Sequence, residues 1–328
     1  MTDAVREMAQ WLRQNDEYTL ISHVSPDGDT IGSALALYGI LCGMGKRVRL
    51  CCDQPVPRIY GFLPWSDVYE QPAAFEPPLQ NVVSIDCADP FRMGYSKALF
   101  DAARCTGNVD HHRTNDAYGA HIVHDEGAAA TGELIFKIWH ALEGEGLKDN
   151  PAAKEIAICL FTAICTDTGS FAYTNTTPET FQIAAALVAL GVDTFEVNRE
   201  VYRSVSMART RLKGFILSQI ELHCEGKVAI ATVTIEDLKR FSTTSEDMEG
   251  MIDSLRDIDT VEIAMILRED RDDVYKISFR SKKYADVSAV ANRFGGGGHL
   301  RAAGCAVKNN IEMQVLKERL IKAAAEAL

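Results

Sequence analysis

Four stretches of this sequence carry residue types that are able to bind cations or phosphate. His23-Val-Ser-Pro-Asp27-Gly-Asp29 closes the apolar run from Tyr18 to Val24. Asp86 closes Asn81-Val-Val-Ser-Ile, Asp110-His111-His112 closes Gly107-Asn-Val, and Asp167 lies in Cys165-Thr-Asp-Thr-Gly-Ser. Carboxylates with a few imidazoles make a hard, oxygen-rich donor set that suits Mn²⁺ or Mg²⁺, whereas a structural zinc site more often uses paired cysteines. Four carboxylates and two histidines exceed the needs of one ion. Two ions about 3.5–4 Å apart, sharing one carboxylate, would use them all. Such a pair acidifies a water between the ions and neutralises phosphoryl oxygens, which is the chemistry of phosphate-ester hydrolysis.

Singly, each cluster has an ordinary reading. Asp27-Gly28 is a turn pair, His111-His112 is surface or core filler, and Asp167 is a helix-end residue. Their joint occurrence in this order carries the chemical reading. His121 and His124 sit on a separate short run and read as structural.

The apolar spacing says how the clusters are positioned. Ala4, Val5, Met8, Ala9 and Leu12 predict a helix over 3–14. Strands are expected at 18–24, 46–52, 81–86 and 107–110, and a helix at 30–42, stopped by Gly43 and Gly45. This β-α-β-α order predicts a mainly parallel sheet with helices on both faces. In such sheets ligands gather outside the carboxyl ends of the strands, where three of the four clusters fall. Residues 128–222 read as mostly helical, with Pro151 and Pro178 as helix starts. Farther on, strands are expected at 228–234, 260–268 and 274–281. A helix over 244–256 is expected from the capping-box pattern Thr243-x-x-Glu246, and a last helix at 311–327. The fold class is therefore α/β with two lobes, the second smaller, joined by helices.

The 328 residues are enough for two domains, and 47% hydrophobic residues exclude a disordered chain. The net charge of −12 argues against binding long duplex nucleic acid, which needs a broad basic face. Charge is segregated locally: residues 236–273 sum to −8 and residues 276–301 to +5, which suggests a confined anion site. The apolar stretches 157–165 and 183–192 fall short of the about 20 residues of a membrane span, and the first residues lack the order of a signal peptide. Nine cysteines without a C-x-x-C pair fit reduced thiols in the cytoplasm. The apolar stretch 181–222 could pair two copies in a homodimer or could belong to a core.

His23-x-x-x-Asp27-x-Asp29, Asp86, Asp110-His111-His112 and Asp167 resemble the four motifs of the DHH phosphoesterase family. Gly295-Gly-Gly-Gly-His299-Leu-Arg-Ala-Ala-Gly304 is similar to the signature of its associated C-terminal domain. The likeness spans nearly the whole chain and points to the oligoribonuclease and pAp-phosphatase branch. It implies a catalytic domain at 1–195, a helical linker at 196–225 and a substrate-binding domain at 226–328. It further implies His23 and Asp27 on one ion, Asp29, His111 and Asp167 on the other, and Asp86 bridging. His112 would face the substrate phosphate, and Asp110 would orient a neighbouring group. Arg280, Ser281, Gly296, Gly297, Gly298 and His299 would grip the far end of the substrate. The implied cofactors are two divalent ions, Mn²⁺ before Mg²⁺. The implied substrates are short RNA, linear dinucleotides or a nucleotide 3′,5′-bisphosphate. The alternatives are a cyclic-dinucleotide phosphodiesterase, a pyrophosphatase or exopolyphosphatase, and a nucleotide sensor without catalysis. The glycine-His tail speaks against the phosphatases of inorganic substrates, and the complete ligand set against the sensor.

Overall fold

The structure is a computed structural model that describes residues 2–270, 274–308 and 310–328. It divides into two compact units, 1–204 and 205–328.

The first unit runs α1 (Asp3–Gln14), β1 (Tyr18–Ser22), α2 (Gly28–Gly43), β2 (Val48–Cys51), β3 (Tyr69–Glu70), β4 (Asn81–Ile85), α3 (Lys97–Asp101), β5 (Cys105–Asp110), β6 (His121–His124), α4 (Thr131–Glu143), α5 (Ala153–Asp167), α6 (Pro178–Ala189) and α7 (Thr194–Asn198). Its strands form one six-stranded sheet, all parallel, in the order β3-β2-β1-β4-β5-β6. Side chains alternate across the sheet. Leu20, Val83, Ile85 and Val109 pack under the helices on one face. Ile21 and Val82 face the other way, onto Phe75, Met93 and Phe100. The central strands β1 and β4 are buried along their whole length, as both-faced coverage requires.

Helix α2 is buried along nearly its whole length, and the small residues in it permit close packing on α5. A Cβ at Gly32 would stand 2.5 Å from the Cys159 carbonyl oxygen, and one at Gly28 2.4 Å from Thr166 Oγ1. These two glycines set the helix separation, and with it the distance between Asp29 and Asp167. Helix α6 starts as expected, with Pro178 in its first turn and Thr177 accepting from the Thr180 N–H. Helix α5 starts two residues after Pro151, at Ala153.

The second unit runs α8 (Met207–Ser218), β7 (Glu221–His223), β8 (Val228–Val233), α9 (Ile235–Arg240), α10 (Met251–Arg256), β9 (Ile263–Asp270), β10 (Val274–Ser281), α11 (Val287–Asn292), β11 (Gly297–His299), β12 (Ala302–Lys308) and α12 (Met313–Ala325). Its sheet order is β11-β12-β10-β9-β8-β7, antiparallel except for the parallel pair β8–β9. Both faces are covered. Val228, Ile230, Ile263 and Met265 share a core with Leu316 and Leu320 of α12. Ala229, Ala231 and Ala264 share another with Leu212 of α8 and Leu255 of α10.

Two expectations for this unit change. The helix predicted over 244–256 is broken: a short turn at Glu246–Met248 precedes Gly250 at φ +71, and α10 starts only at Met251. Thr244 N–H bonds Asp247 instead of forming the expected capping box (3.5 Å or less in each contact). The glycine run, for which no strand was expected, contributes Gly297 and Gly298 to edge strand β11 on β12. Gly296 and Gly298 are glycines because a Cβ would meet the Gly304 carbonyl at 2.2 Å and the Ala302 carbonyl at 2.6 Å. The stretch 196–225 is shared between units: α7 and the turn after it lie in the first, α8 and β7 in the second. No single helix among the described residues is long and apolar enough to cross a membrane.

Candidate metal centre

Eight side chains expected at the site converge in the first unit. His23 follows β1. Asp27 caps α2, its Oδ1 accepting from the Asp29 and Thr30 N–H groups at 3.2 and 3.1 Å. That leaves Oδ2 directed at His23 Nε2, 3.7 Å away. Asp86 follows β4 in a left-handed backbone conformation, φ +58. Its Oδ2 lies 3.5 Å from His23 Nε2, and its Oδ1 lies 3.7 Å from His111 Nε2. Asp86 therefore stands between two groups, His23–Asp27 on one side and Asp29–His111–Asp167 on the other. Within each group the donor atoms lie inside 4.8 Å of one another. His111 Nε2 is 3.7 Å from Asp29 Oδ2 and 3.5 Å from Asp167 Oδ2.

These separations exceed hydrogen-bond length and suit donor atoms that share a cation. The tautomers agree. His23 Nδ1 donates to the Val24 carbonyl at 2.9 Å and His111 Nδ1 to the Ala128 carbonyl at 3.1 Å. Both Nε2 atoms then face the carboxylates, the edge that a metal-bound histidine offers. Charge agrees as well. Burial and the neighbouring Asp86 and Asp167 charges push Asp29 well above the usual carboxylate range. Burial, with Asp86 and Asp27 and against His111, lifts Asp167 to about 7. For Asp86, contacts with His23, His111 and His112 outweigh burial and lower it. For His23, burial pulls the ring down, but Asp27 and Asp86 outweigh it and raise it to about 10. Carboxylates crowded in a buried place, with imidazoles as counter-charges, are the donor set that divalent cations neutralise. The residues fit a two-cation site.

His112 makes different contacts from His111. Its Nδ1 donates to Asp110 Oδ1 at 2.7 Å, and Asp110 Oδ2 accepts from Asn115 Nδ2 at 2.6 Å. Asp110 is fully buried and its carboxylate points at His112 rather than at the cation groups. Burial lowers the His112 ring, but Asp110, Asp86 and Asp167 outweigh it and raise it to about 9. His124, read as structural, donates its Nε2 proton to the His112 carbonyl, 2.8 Å away. His121 stacks on Trp11, centroids 4.5 Å apart, away from the cluster.

Three contributors were not visible as a motif. Helix α4 has no side-chain cap; its Thr131 and Gly132 N–H groups bind Asp29 at 2.7 and 3.0 Å. Thr131 Oγ1 donates to Asp86 Oδ1 at 2.8 Å. Arg92 Nη2 lies 3.1 Å from His23 Nδ1. A Thr-Gly pair opening an apolar helix was the only available signal for the first two.

The other expected residues lie together in the second unit. Arg280 and His299 are both register partners of Ala302, on strands flanking β12, so they share a sheet face. Ser281 follows Arg280 and faces the opposite side, 4% exposed, with no hydrogen-bond partner for its hydroxyl among the described residues. The basic strip is largely engaged: Lys276 pairs with Asp270, Arg293 with Glu326, and Lys282 and Arg301 bind the Ile258 and Ala285 carbonyls.

A parallel sheet with carboxylates and imidazoles gathered at its strand ends defines a metal-dependent phosphoesterase of mixed α/β architecture. The chain belongs to the DHH family: residues 17–164 match the DHH family N-terminal domain and residues 225–327 the DHHA1 domain. It is 33% identical to the bifunctional oligoribonuclease and PAP phosphatase NrnA of Thermus thermophilus, over 94% of this chain and 89% of that one. It is 25% identical to the NrnA of Bacillus subtilis, over 92% of each. It also resembles the crystal structure of an exopolyphosphatase-related protein from Bacteroides fragilis, with a TM-score of 0.91, 26% identity, and coverage of 99% and 98% of the two chains. It is an enzyme of the DHH phosphoesterase family.

Proposed function

We propose that this enzyme hydrolyses short oligoribonucleotides, linear dinucleotides and 3′-phosphoadenosine 5′-phosphate. The observation that carries the reading is Asp86, with one oxygen toward His23 and the other toward His111. Similarity over nearly the full length of the NrnA proteins supports the substrate class. His23, Asp27 and Asp86 would hold one divalent cation, and Asp29, His111, Asp167 and Asp86 the other. Mn²⁺ is our choice over Mg²⁺ because imidazole donors suit it better. When bound, the two ions supply an activated water and neutralise the phosphoryl oxygens.

The chain's own groups do the rest. Asp110 fixes the His112 ring so that its far edge meets the phosphate and can pass a proton to the leaving oxygen. Thr131, Gly132 and Ser33 hold Asp29 in place. Arg280, Gly296, Gly297, Gly298 and His299 would hold the remaining nucleotide, with buried Ser281 supporting that strand end. The nine unpaired cysteines support a reducing, cytoplasmic setting.

A second reading, hydrolysis of cyclic di-AMP, draws on 25% identity to the cyclic-di-AMP phosphodiesterase PdeA of Listeria monocytogenes, of which this chain spans 49%. One assay panel separates them: with Mn²⁺ or Mg²⁺, over the bisphosphate, pApA, RNA of two to about twenty-four nucleotides, cyclic di-AMP and pyrophosphate. Preference for the bisphosphate, pApA and short RNA is expected. Asp86→Asn should abolish turnover; near-normal turnover by that variant would refute the mechanism.

A further inference from the structure

The segment between β4 and α3, from Cys87 to Ser96, has more order than a connecting loop requires. The Asp53 carboxylate accepts from Tyr95 N–H at 2.6 Å, from Ser96 N–H at 3.0 Å and from Ser96 Oγ at 2.8 Å. Asp89 accepts from Phe91 N–H at 2.8 Å, and Val24 N–H binds the Arg92 carbonyl at 2.7 Å. Gly94 sits at φ +58 where a Cβ would meet Asp53 Oδ2 at 2.1 Å. The backbone is thus pinned against the residue that follows His23.

This fixed backbone presents three side chains. Arg92 Nη2 lies 3.1 Å from His23 Nδ1 and 3.4 Å from Nε2. With Nδ1 donating to Val24 and Nε2 facing Asp27 and Asp86, neither nitrogen can accept from it. Among the described residues no carboxylate pairs with Arg92. A half-buried guanidinium beside a candidate cation ligand, with a donor left over, is placed to bind an anionic acceptor from outside the protein. On either side of it, Phe91 and Tyr95 are 77% and 86% exposed, the two most exposed large apolar side chains among the described residues. Rings that carry no core packing, on a backbone already ordered, suit stacking with little loss of chain entropy.

Building on the nucleotide reading above, we infer that Cys87–Ser96 is the substrate-recognition segment of the metal centre. Arg92 binds an oxygen of the phosphate being cleaved, and Phe91 and Tyr95 stack on the nucleobase beside that phosphate. A nucleobase suits this place better than a protein partner because the two aromatic residues bracket in sequence the arginine that reaches the cation ligand His23. The segment would therefore select nucleotide esters over phosphate esters without a base.

The test uses the full-length protein with Mn²⁺. The substrates are pApA and its two analogues in which one or the other base is replaced by abasic ribose. Phe91→Ala and Tyr95→Ala should raise KM for pApA roughly 5- to 100-fold. They should match the parent on one of the two abasic analogues. Arg92→Gln should lower kcat/KM about 100-fold on all three substrates, with partial rescue in Arg92→Lys. Phe195→Ala, at another exposed aromatic, should change none of these, and thermal midpoints should stay constant. Unchanged KM for pApA in the two aromatic variants, or equal losses on all three substrates, would overturn the inference alone. Failure of the parent protein to cleave any nucleotide would overturn it together with the proposed function.

Discussion

Thr131 donates its hydroxyl proton to Asp86 Oδ1 at 2.8 Å while its backbone N–H binds Asp29 Oδ2 at 2.7 Å. One residue at the start of α4 therefore positions two carboxylates, one in the first turn of α2 and one just after β4. Removing only the hydroxyl, as in Thr131→Val, keeps the helix start and the N–H contact. The variant should bind Mn²⁺ about 10–100-fold more weakly, as loss of a supporting contact behind a ligand does. Calorimetric titration of the metal-free protein measures this, and an unchanged affinity would remove Thr131 from the support of the site.

The close approach of α2 to α5 sets a second expectation. Gly32→Ala places a methyl group 2.5 Å from a backbone carbonyl, which cannot swing aside as a side chain would. The helices must separate, at a cost of about 1–3 kcal/mol. Because α2 carries Asp29 and α5 ends in Asp167, metal affinity should fall with stability. Urea unfolding and metal titration of the same variant check both halves.

In the second unit, Glu262 is 4% exposed and accepts from the Lys283, Tyr284 and Ala285 N–H groups. Burial raises its carboxyl, but those three donors and nearby Arg301 outweigh this and lower it from the ordinary 4.5. A lowered folded-state value means that the stabilisation is complete above about pH 4.5 and is lost as pH falls through the folded-state value. Glu262→Gln should cost about 1–3 kcal/mol at neutral pH and flatten the loss of stability in acid. Unfolding curves between about pH 3 and pH 7 would show it.

Thiol chemistry offers a simple check of burial. Cys51, Cys52, Cys87, Cys159, Cys165 and Cys305 are buried, and Cys42, Cys105 and Cys224 are not. Burial pushes Cys51, Cys52, Cys87 and Cys305 up to about 11, so the reactive thiolate is scarce at pH 8 and rises only as pH approaches that value. A disulfide reagent at about pH 8 should modify at most the three less buried thiols quickly, and the remaining six only after denaturation. Rapid reaction of all nine would contradict the packing.

The sequence displayed the site better than its supports. His23 and Asp86 each follow a run of mostly β-branched or apolar residues, and Asp110 follows the short stretch Gly107-Asn-Val, so strand ends and ligands could be read together. Strands β1, β4 and β5 and helix α2 were legible for that reason. Strand β11 was not, because its glycines carry no alternating pattern; their role emerges only from the close approach of Gly304 and Ala302. The break at Gly250 was hidden by a capping-like pattern just before it. Thr131 and Arg92 were hidden because each acts across 45 or more positions of chain, a distance that local periodicity does not register.

The left-handed backbone at Asp86 has a practical corollary. That conformation penalises a β-carbon, but aspartate and asparagine adopt it more readily than other non-glycine residues. Alanine there would mix conformational cost with the missing anion, so a dead alanine variant could be misfolded or merely uncharged. Asparagine would retain the bend and delete only the ionic group, giving an inert protein suited to trapping an intact substrate for crystallography.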